Sequence, residues 1–214
     1  MSPALLPLAL LLGATAGDAP PASVSPAVAA IADKMRGIQS LQVRMRQTKT
    51  LAVLAETVVS EGTLTFARPR RLAIDLQGEG GTTLIIDGDA MVTVYKALGT
   101  TERTSLSKDP RGRAVAEHLF LLLDADPKAL AAVYDVAVLT EKPLRIRLTP
   151  RADALRKMLA KVEARFDALG FVDELVLSEK NGDQTRWQFD SPRVNEAVPE
   201  SVFGPATGTT PTRK

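Results

Sequence analysis

Short runs in which apolar and polar side chains alternate with period two recur along most of this chain, each bounded by turn residues. Side chains on a strand point alternately to opposite faces, so each run reads as a strand with one dry face and one wet face. Leu41, Val43 and Met45 alternate with Gln42, Arg44 and Arg46. Residues 58–67 and 72–76 flank Arg68-Pro69-Arg70, residues 82–86 and 91–95 flank Asp87-Gly88-Asp89, and 101–105 adds a further short run. The pattern returns over 134–139, 144–148, 159–167, 175–179 and 185–190, the last two around Asn181-Gly182, a preferred two-residue hairpin turn. Half-wet strands joined by short turns pair antiparallel, and here they predict a single curved sheet.

Two places break the period. Pro26, followed by Val28, Ile31, Ala32 and Met35 and stopped at Gly37, predicts a helix before the first strand. Residues 113–123 (RAVAEHLFLLL) carry Val115, Leu119, Leu122 and Leu123 on one helical stripe, and Asp126-Pro127 starts a second short helix. The expected class is mainly β with helices (α+β), the helices lying on one face of the sheet. Residues 1–16 form an apolar run ending Ala14-x-Ala16 and are expected to be a cleavable signal peptide, with no basic residue before the run. Residues 17–24 read as a linker, 25–206 as the folded domain and 207–214 as a flexible tail.

Charge and composition narrow the function. Lys and Arg total 27 against 25 Asp and Glu, interleaved along the chain, so no basic stripe exists for a nucleic acid. There is no cysteine and one histidine, His118, which removes thiolate chemistry and leaves no histidine-rich metal set. No cofactor and no enzyme activity are expected. His118 reads as a hydrogen-bonded helix residue. Asp87 with Asp89, and Asp124 with Asp126, read as turn and cap residues.

The faces expected to turn inward carry Leu41, Val43, Met45, Leu64, Phe66, Leu72, Ile74, Leu144, Ile146, Leu148, Val162, Phe166, Trp187 and Phe189. Aromatic residues make up only 4% of the chain, so this interior is mostly aliphatic. Such a surface is either an ordinary packed core, which periodicity alone favours, or a cavity for a greasy ligand.

Gly62-Thr-Leu-Thr-Phe66-Ala-Arg68-Pro69-Arg-Arg-Leu72 and then Ile86-Asp87-Gly88 resemble the start of the periplasmic outer-membrane lipoprotein carrier family, the LolA-like proteins. Leu144-x-Ile-x-Leu148-Thr-Pro150, Phe166-Asp167, Asn181-Gly182-Asp183-Gln-Thr185 and Phe203 follow in the family's order, so the resemblance spans roughly residues 26 to 206. It implies a half-open antiparallel β-barrel covered by a short α-helical lid. It also implies a periplasmic chaperone that takes lipoproteins from an inner-membrane lipoprotein-releasing transporter, shields their acyl chains and passes them to an outer-membrane acceptor. A monomer is expected.

On this resemblance the acyl cavity is formed by Val43, Met45, Leu64, Phe66, Leu72, Ile74, Ile146, Leu148, Phe166, Trp187 and Phe189. The lid helix presents Val115, Leu119, Leu122 and Leu123, and Arg68 is the latch that holds the lid closed and is released on loading. Parity with Leu64 and Phe66 points Arg68 inward, where backbone carbonyls at the ends of the lid helices are the expected acceptors; without the resemblance it reads as a solvated turn residue. The sequence departs from the family pattern in having Val92 and Leu144 near positions where tryptophan is common, and Trp187 is its single tryptophan. That departure keeps two related roles open: a binding protein for other lipids or lipid-linked metabolites, and an envelope-stress lipid sensor.

Overall fold

The computed structural model describes residues 26–54, 56–78 and 81–204. The expected signal peptide, linker and C-terminal tail lie outside the described residues. Helix α1 (Pro26–Arg36) comes first, with proline in its first turn and Val28, Ile31, Ala32 and Met35 on its buried face. Gly37 and Ile38 then donate back to Lys34 and Met35, closing the last turn before the chain enters the sheet.

Strands β1 (Ser40–Leu51), β2 (Glu56–Ala67), β3 (Arg71–Gly78), β4 (Thr82–Asp87), β5 (Ala90–Tyr95) and β6 (Thr100–Ser105) follow as a meander. Helices α2 (Pro110–Asp124) and α3 (Pro127–Val133) come next, and then β7 (Tyr134–Glu141), β8 (Leu144–Pro150), the single-turn α4 (Asp153–Arg156), β9 (Leu159–Phe166), β10 (Val172–Glu179) and β11 (Gln184–Val194). All eleven strands belong to one antiparallel sheet, in the order β6-β5-β4-β3-β2-β1-β11-β10-β9-β8-β7. Adjacent strands twist with a fixed hand, so a sheet this wide curls on itself. Strands β6 and β7 are its two edges and are joined in sequence by α2 and α3, so the curled sheet stays unclosed and the helices run from one edge to the other. Helices α1, α2 and α3 touch one another. The arrangement is the single curved sheet with helices on one face that the alternation predicts, and the half-open barrel with a helical lid that the resemblance implies.

Register explains why one face is dry. Leu41 pairs with Phe66 and Phe66 with Leu72, Val43 with Leu64 and Leu64 with Ile74, and Leu72 with Ile86, so the inward residues of four strands stand in rows. Across the other half, Leu175 is opposite Trp187 and Ala164, and Leu148 is opposite Val162. Phe66, Leu72, Ile86, Tyr134 and Val162 are fully buried on this face. Each such side chain contributes about 1.5–3 kcal/mol by leaving water.

A second, smaller cluster lies on the opposite face. Ala73, Ile85 and Val92 have the outward parity of β3, β4 and β5, and the chain after β11 returns across them with Val198, Val202 and Phe203. The sequence pattern did not foretell this second layer, because Ala73, Ile85 and Val92 interleave with inward residues and read as the weak side of each strand.

Three local expectations need correction. The 180–183 hairpin is wider than a two-residue Asn-Gly turn: the last strand pair is Ser178 with Gln184, and Glu179 donates to the Asp183 carbonyl at 2.9 Å. Asn181 Nδ2 donates to the Asp183 carboxylate while Asn181 Oδ1 accepts from Asp183 N, and Gly182 takes the left-handed conformation at φ 93°. Strand β11 runs past Asp190 to Val194, because a register shift against β1 between Gln42 and Arg44, with Ser191 at φ 54°, absorbs Pro192 as a bulge. Helix α2 begins at Pro110 rather than Arg113, capped by the Asp109 carboxylate accepting from Arg111 N at 3.0 Å.

Candidate functional site

All eleven residues expected to line the cavity fall in one cluster beneath the helices. The cluster has two tiers. Val43, Met45, Leu64, Phe66, Leu72, Ile146, Leu148 and Phe166 are buried, together with Val28, Ile31 and Met35 of α1. Ile74, Trp187 and Phe189 are half-buried, as are their neighbours Leu84, Met91, Leu175 and Leu177. The second tier is apolar surface of the inner face with incomplete cover. Its indole N–H is satisfied, since Trp187 Nε1 donates to Gln47 Oε1 at 2.9 Å.

The lid helix is rotated from the expected stripe. Leu119, Leu122 and Leu123 are half-buried against the cluster, but Val115 is outside it. The buried residues of α2 are Gly112, Ala116, Phe120 and His118, the first three at four-residue steps. Gly112 accounts for the rotation: a Cβ there would stand 2.9 Å from Thr104 Cγ2 and 3.1 Å from Met91 Cε, so the bare backbone lets α2 press against the edge of the sheet. Small residues 112 and 116 in the sequence are the signal for this approach. Phe120 then meets Phe66 with ring centroids 6.4 Å apart.

His118 is 6% exposed, and its Nε2 lies 2.8 Å from the Tyr134 hydroxyl, which is itself fully buried at the start of β7. Burial pushes the imidazole down to about 4, so the ring is neutral near pH 7, and the same burial pushes the Tyr134 phenol up. The pair joins α2 to β7 as a satisfied buried hydrogen bond.

Arg68 occupies the position parity assigned to it. Its Nε donates to the Ile38 carbonyl at 2.9 Å and its Nη2 to the Met35 carbonyl at 3.2 Å, at the C-terminal end of α1. Its Nη1 lies 3.0 Å from Asp124 Oδ1 at the end of α2. One planar guanidinium thus ties the β2–β3 turn to both lid helices, a task that needs three donors in a fixed fork. The carbonyl acceptors match expectation, whereas Asp124 does not: Asp126 caps α3 by accepting from Ala129 N at 2.8 Å, and Asp124 pairs with Arg68 instead. The next two arginines divide the remaining work. Arg70 lies over the Phe120 ring of α2 at 4.7 Å. Arg71 points to the other face, where it pairs with Asp87 and Glu200 and lies 4.1 Å over the Phe203 ring. Helix α1 has a further anchor, since Lys34 donates to the Leu169 carbonyl and lies 3.7 Å over Phe171.

The family model for the outer membrane lipoprotein carrier protein LolA matches residues 36–206. No curated protein sequence matches the chain. Among solved structures, a DUF1329 family protein from Desulfovibrio piger is similar at 10% identity and a TM-score of 0.47, covering 85% of this chain and 96% of that one. A LolA superfamily protein from Nitrosomonas europaea aligns at 12% identity and a TM-score of 0.43, covering 86% and 99%. A chain of the Pseudomonas aeruginosa MucA/MucB complex aligns at 14% identity and 0.49, covering 87% of this chain and 62% of its own length. The matched segment begins at the end of α1 and takes in every strand, the Arg68 turn and helices α2 and α3, and this chain belongs to the LolA family of outer membrane lipoprotein carrier proteins.

Proposed function

We propose that this protein is a periplasmic carrier that holds the acyl chains of lipoproteins against the inner face of the sheet and moves them from the inner to the outer membrane. The observation that carries the proposal is Arg68, whose guanidinium bonds the ends of two helices that lie over a half-buried apolar surface. Family membership supports the same reading. An acyl chain of about fourteen methylenes gains on the order of 11 kcal/mol when it leaves water for an apolar surface, which makes transit shielded by a protein far faster than transit alone.

Loading and release follow from competition. The empty protein gains the Arg68 contacts by closing, and cargo gains its transfer energy by displacing the helices. The two energies oppose each other, so the acyl chain is held less tightly than its burial alone provides. The reading involves binding and release only, without catalysis or a resident cofactor. Delivery by this scheme runs from a weaker to a stronger acyl binder, with an inner-membrane transporter loading the carrier and an outer-membrane acceptor unloading it. The test is native mass spectrometry of the protein purified from the periplasm. Acylated peptides or lipoproteins at one per chain support the carrier, free lipid alone supports the broader lipid-binding role, and a protein that is empty and binds no apolar fluorescent probe refutes both.

A further inference from the structure

The inner face changes character along the strands. Near the Arg68 turn, β1 presents Leu41, Val43 and Met45, but its next inward residues are Gln47 and Lys49. Register sets Gln47 between Ser60 of β2 and Trp187 of β11, and Lys49 opposite Thr185. Ser60 is 2% exposed and its Oγ has no hydrogen-bond partner. Its neighbour on the other side is Gly78, which has no side chain to answer it. A buried hydroxyl with nothing to bond is costly to keep in an otherwise satisfied sheet.

Gln47 commits its carbonyl oxygen to the Trp187 N–H, so the function it has left to offer is its amide N–H donors. Lys49 makes no ion pair within 4 Å among the described residues. The acid whose charge it feels is Glu179, at the end of β10, where burial is the main influence and raises the carboxyl. A hydroxyl, an amide and an ammonium group therefore share the inner face of two neighbouring strands beyond the apolar rows. They are donors, and their complement is an acceptor-rich anion on an apolar tail.

We infer that this end of the inner face is a headgroup site, and that the protein takes diacyl lipids carrying a phosphate, with the tails under α1 and α2 and the phosphate at Ser60, Gln47 and Lys49. The inference rests on the proposed acyl-binding role of the same face, and by naming a phosphate head it takes the broader lipid-binding reading of that face rather than lipoprotein cargo.

The test is competition against an apolar fluorescent probe bound to the purified protein, using dioctanoyl phosphatidylglycerol, dioctanoylglycerol and free glycerol phosphate. The phospholipid should displace the probe at least about tenfold more effectively than the neutral diacylglycerol, and glycerol phosphate should not displace it. Ser60→Ala and Lys49→Met should each weaken the phospholipid about tenfold and change the neutral lipid by less than about twofold. Ser60→Ala removes only an unbonded oxygen, so it keeps the fold, which thermal unfolding checks. Equal displacement by the charged and neutral lipids, or variants that weaken both alike, would overturn the headgroup site while leaving the acyl role intact. Binding of glycerol phosphate as tightly as the phospholipid would overturn it in favour of a free-phosphate site. A probe that never binds would remove the acyl role, and the headgroup site with it.

Discussion

The guanidinium of Arg68 stands 3.0 Å from the carboxylate of Asp124 and at the same time covers two carbonyls at the end of α1, so one side chain ties both helices to the β2–β3 turn. Both partners of the ion pair are partly exposed, which limits it to about 1 kcal/mol, and each hydrogen bond from the charged fork to a carbonyl adds about 1.5–3 kcal/mol. For the proposed carrier, contacts of this size are strong enough to bias the lid and weak enough for an acyl chain to open it.

Arg68→Leu should therefore fold and load but release slowly, because closure no longer competes with cargo. Transfer to an acceptor membrane should slow about tenfold or more, and normal transfer by this variant would rule out the latch. Arg68→Lys should behave alike, since one ammonium cannot span three acceptors arranged around a planar fork.

Trp187 is the single tryptophan and is half-buried on the inner face, so it reports occupancy directly. Adding a long-chain acyl ligand should shift its emission to shorter wavelength as water leaves the indole, and should do so less in Phe66→Gln, which puts an amide among the cluster beside Phe120. Unchanged emission at saturating ligand would place the ligand elsewhere.

Acid should loosen the lid through His118. Its folded value of about 4 lies below the ordinary 6.5, so the unfolded chain binds the proton first. The stability it supports is complete above pH 6.5 and is lost as pH falls toward 4, a loss of about 3 kcal/mol over that window. Carboxylates titrate there too, so the measurement is the difference between the protein and His118→Gln in chemical unfolding from pH 7.5 to 4. The gap should close as the pH falls, and a constant gap would show that the imidazole is not the group responsible.

Gly62→Ala should be strongly destabilising. A Cβ at this point of β2 would lie 1.8 Å from the Asp75 carbonyl oxygen, a backbone atom that can move only by shifting β3. The expected cost is about 3 kcal/mol or more in chemical unfolding, against a negligible effect for Gly88→Ala if Cβ contact alone decided the outcome. Gly88 has open space around it but sits at φ 57°, so a cost there of about 1 kcal/mol isolates the backbone contribution.

Arg71→Ala should free the segment that returns over the outer face while leaving the lid intact. Arg71 holds Glu200 and Phe203, and its neighbour Arg68 holds the helices. Amide hydrogen exchange should rise around residues 198–204 and stay unchanged in α1 and α2. Faster exchange in both regions would mean that the two faces are coupled through β3.

Much of this architecture is legible in the alternation of the strands alone. Leu64, Phe66, Leu72 and Ile74 had to share a face because successive strand residues point in opposite directions, and a hairpin joins them in register. The same parity turned Arg68 inward, and helix-end carbonyls are the acceptors that guanidinium seeks. The rest depends on approaches between distant segments. Val115 has the same local spacing as Leu119, yet the close contact at Gly112 rotates α2 so that Ala116 takes the buried place. Asp124 looked like a cap because aspartate before proline at Asp126 explains one acid and seemed to explain both; only the fold brings its carboxylate to Arg68. Ser60 was one inward polar residue among many until the register placed it between Gln47 and Gly78 with no partner. Local periodicity determines which side of an element faces inward, because side-chain direction is a property of the backbone repeat. Which groups meet across that interior, and which are left without a partner, is decided by tertiary packing, because contact depends on distances that no repeat encodes.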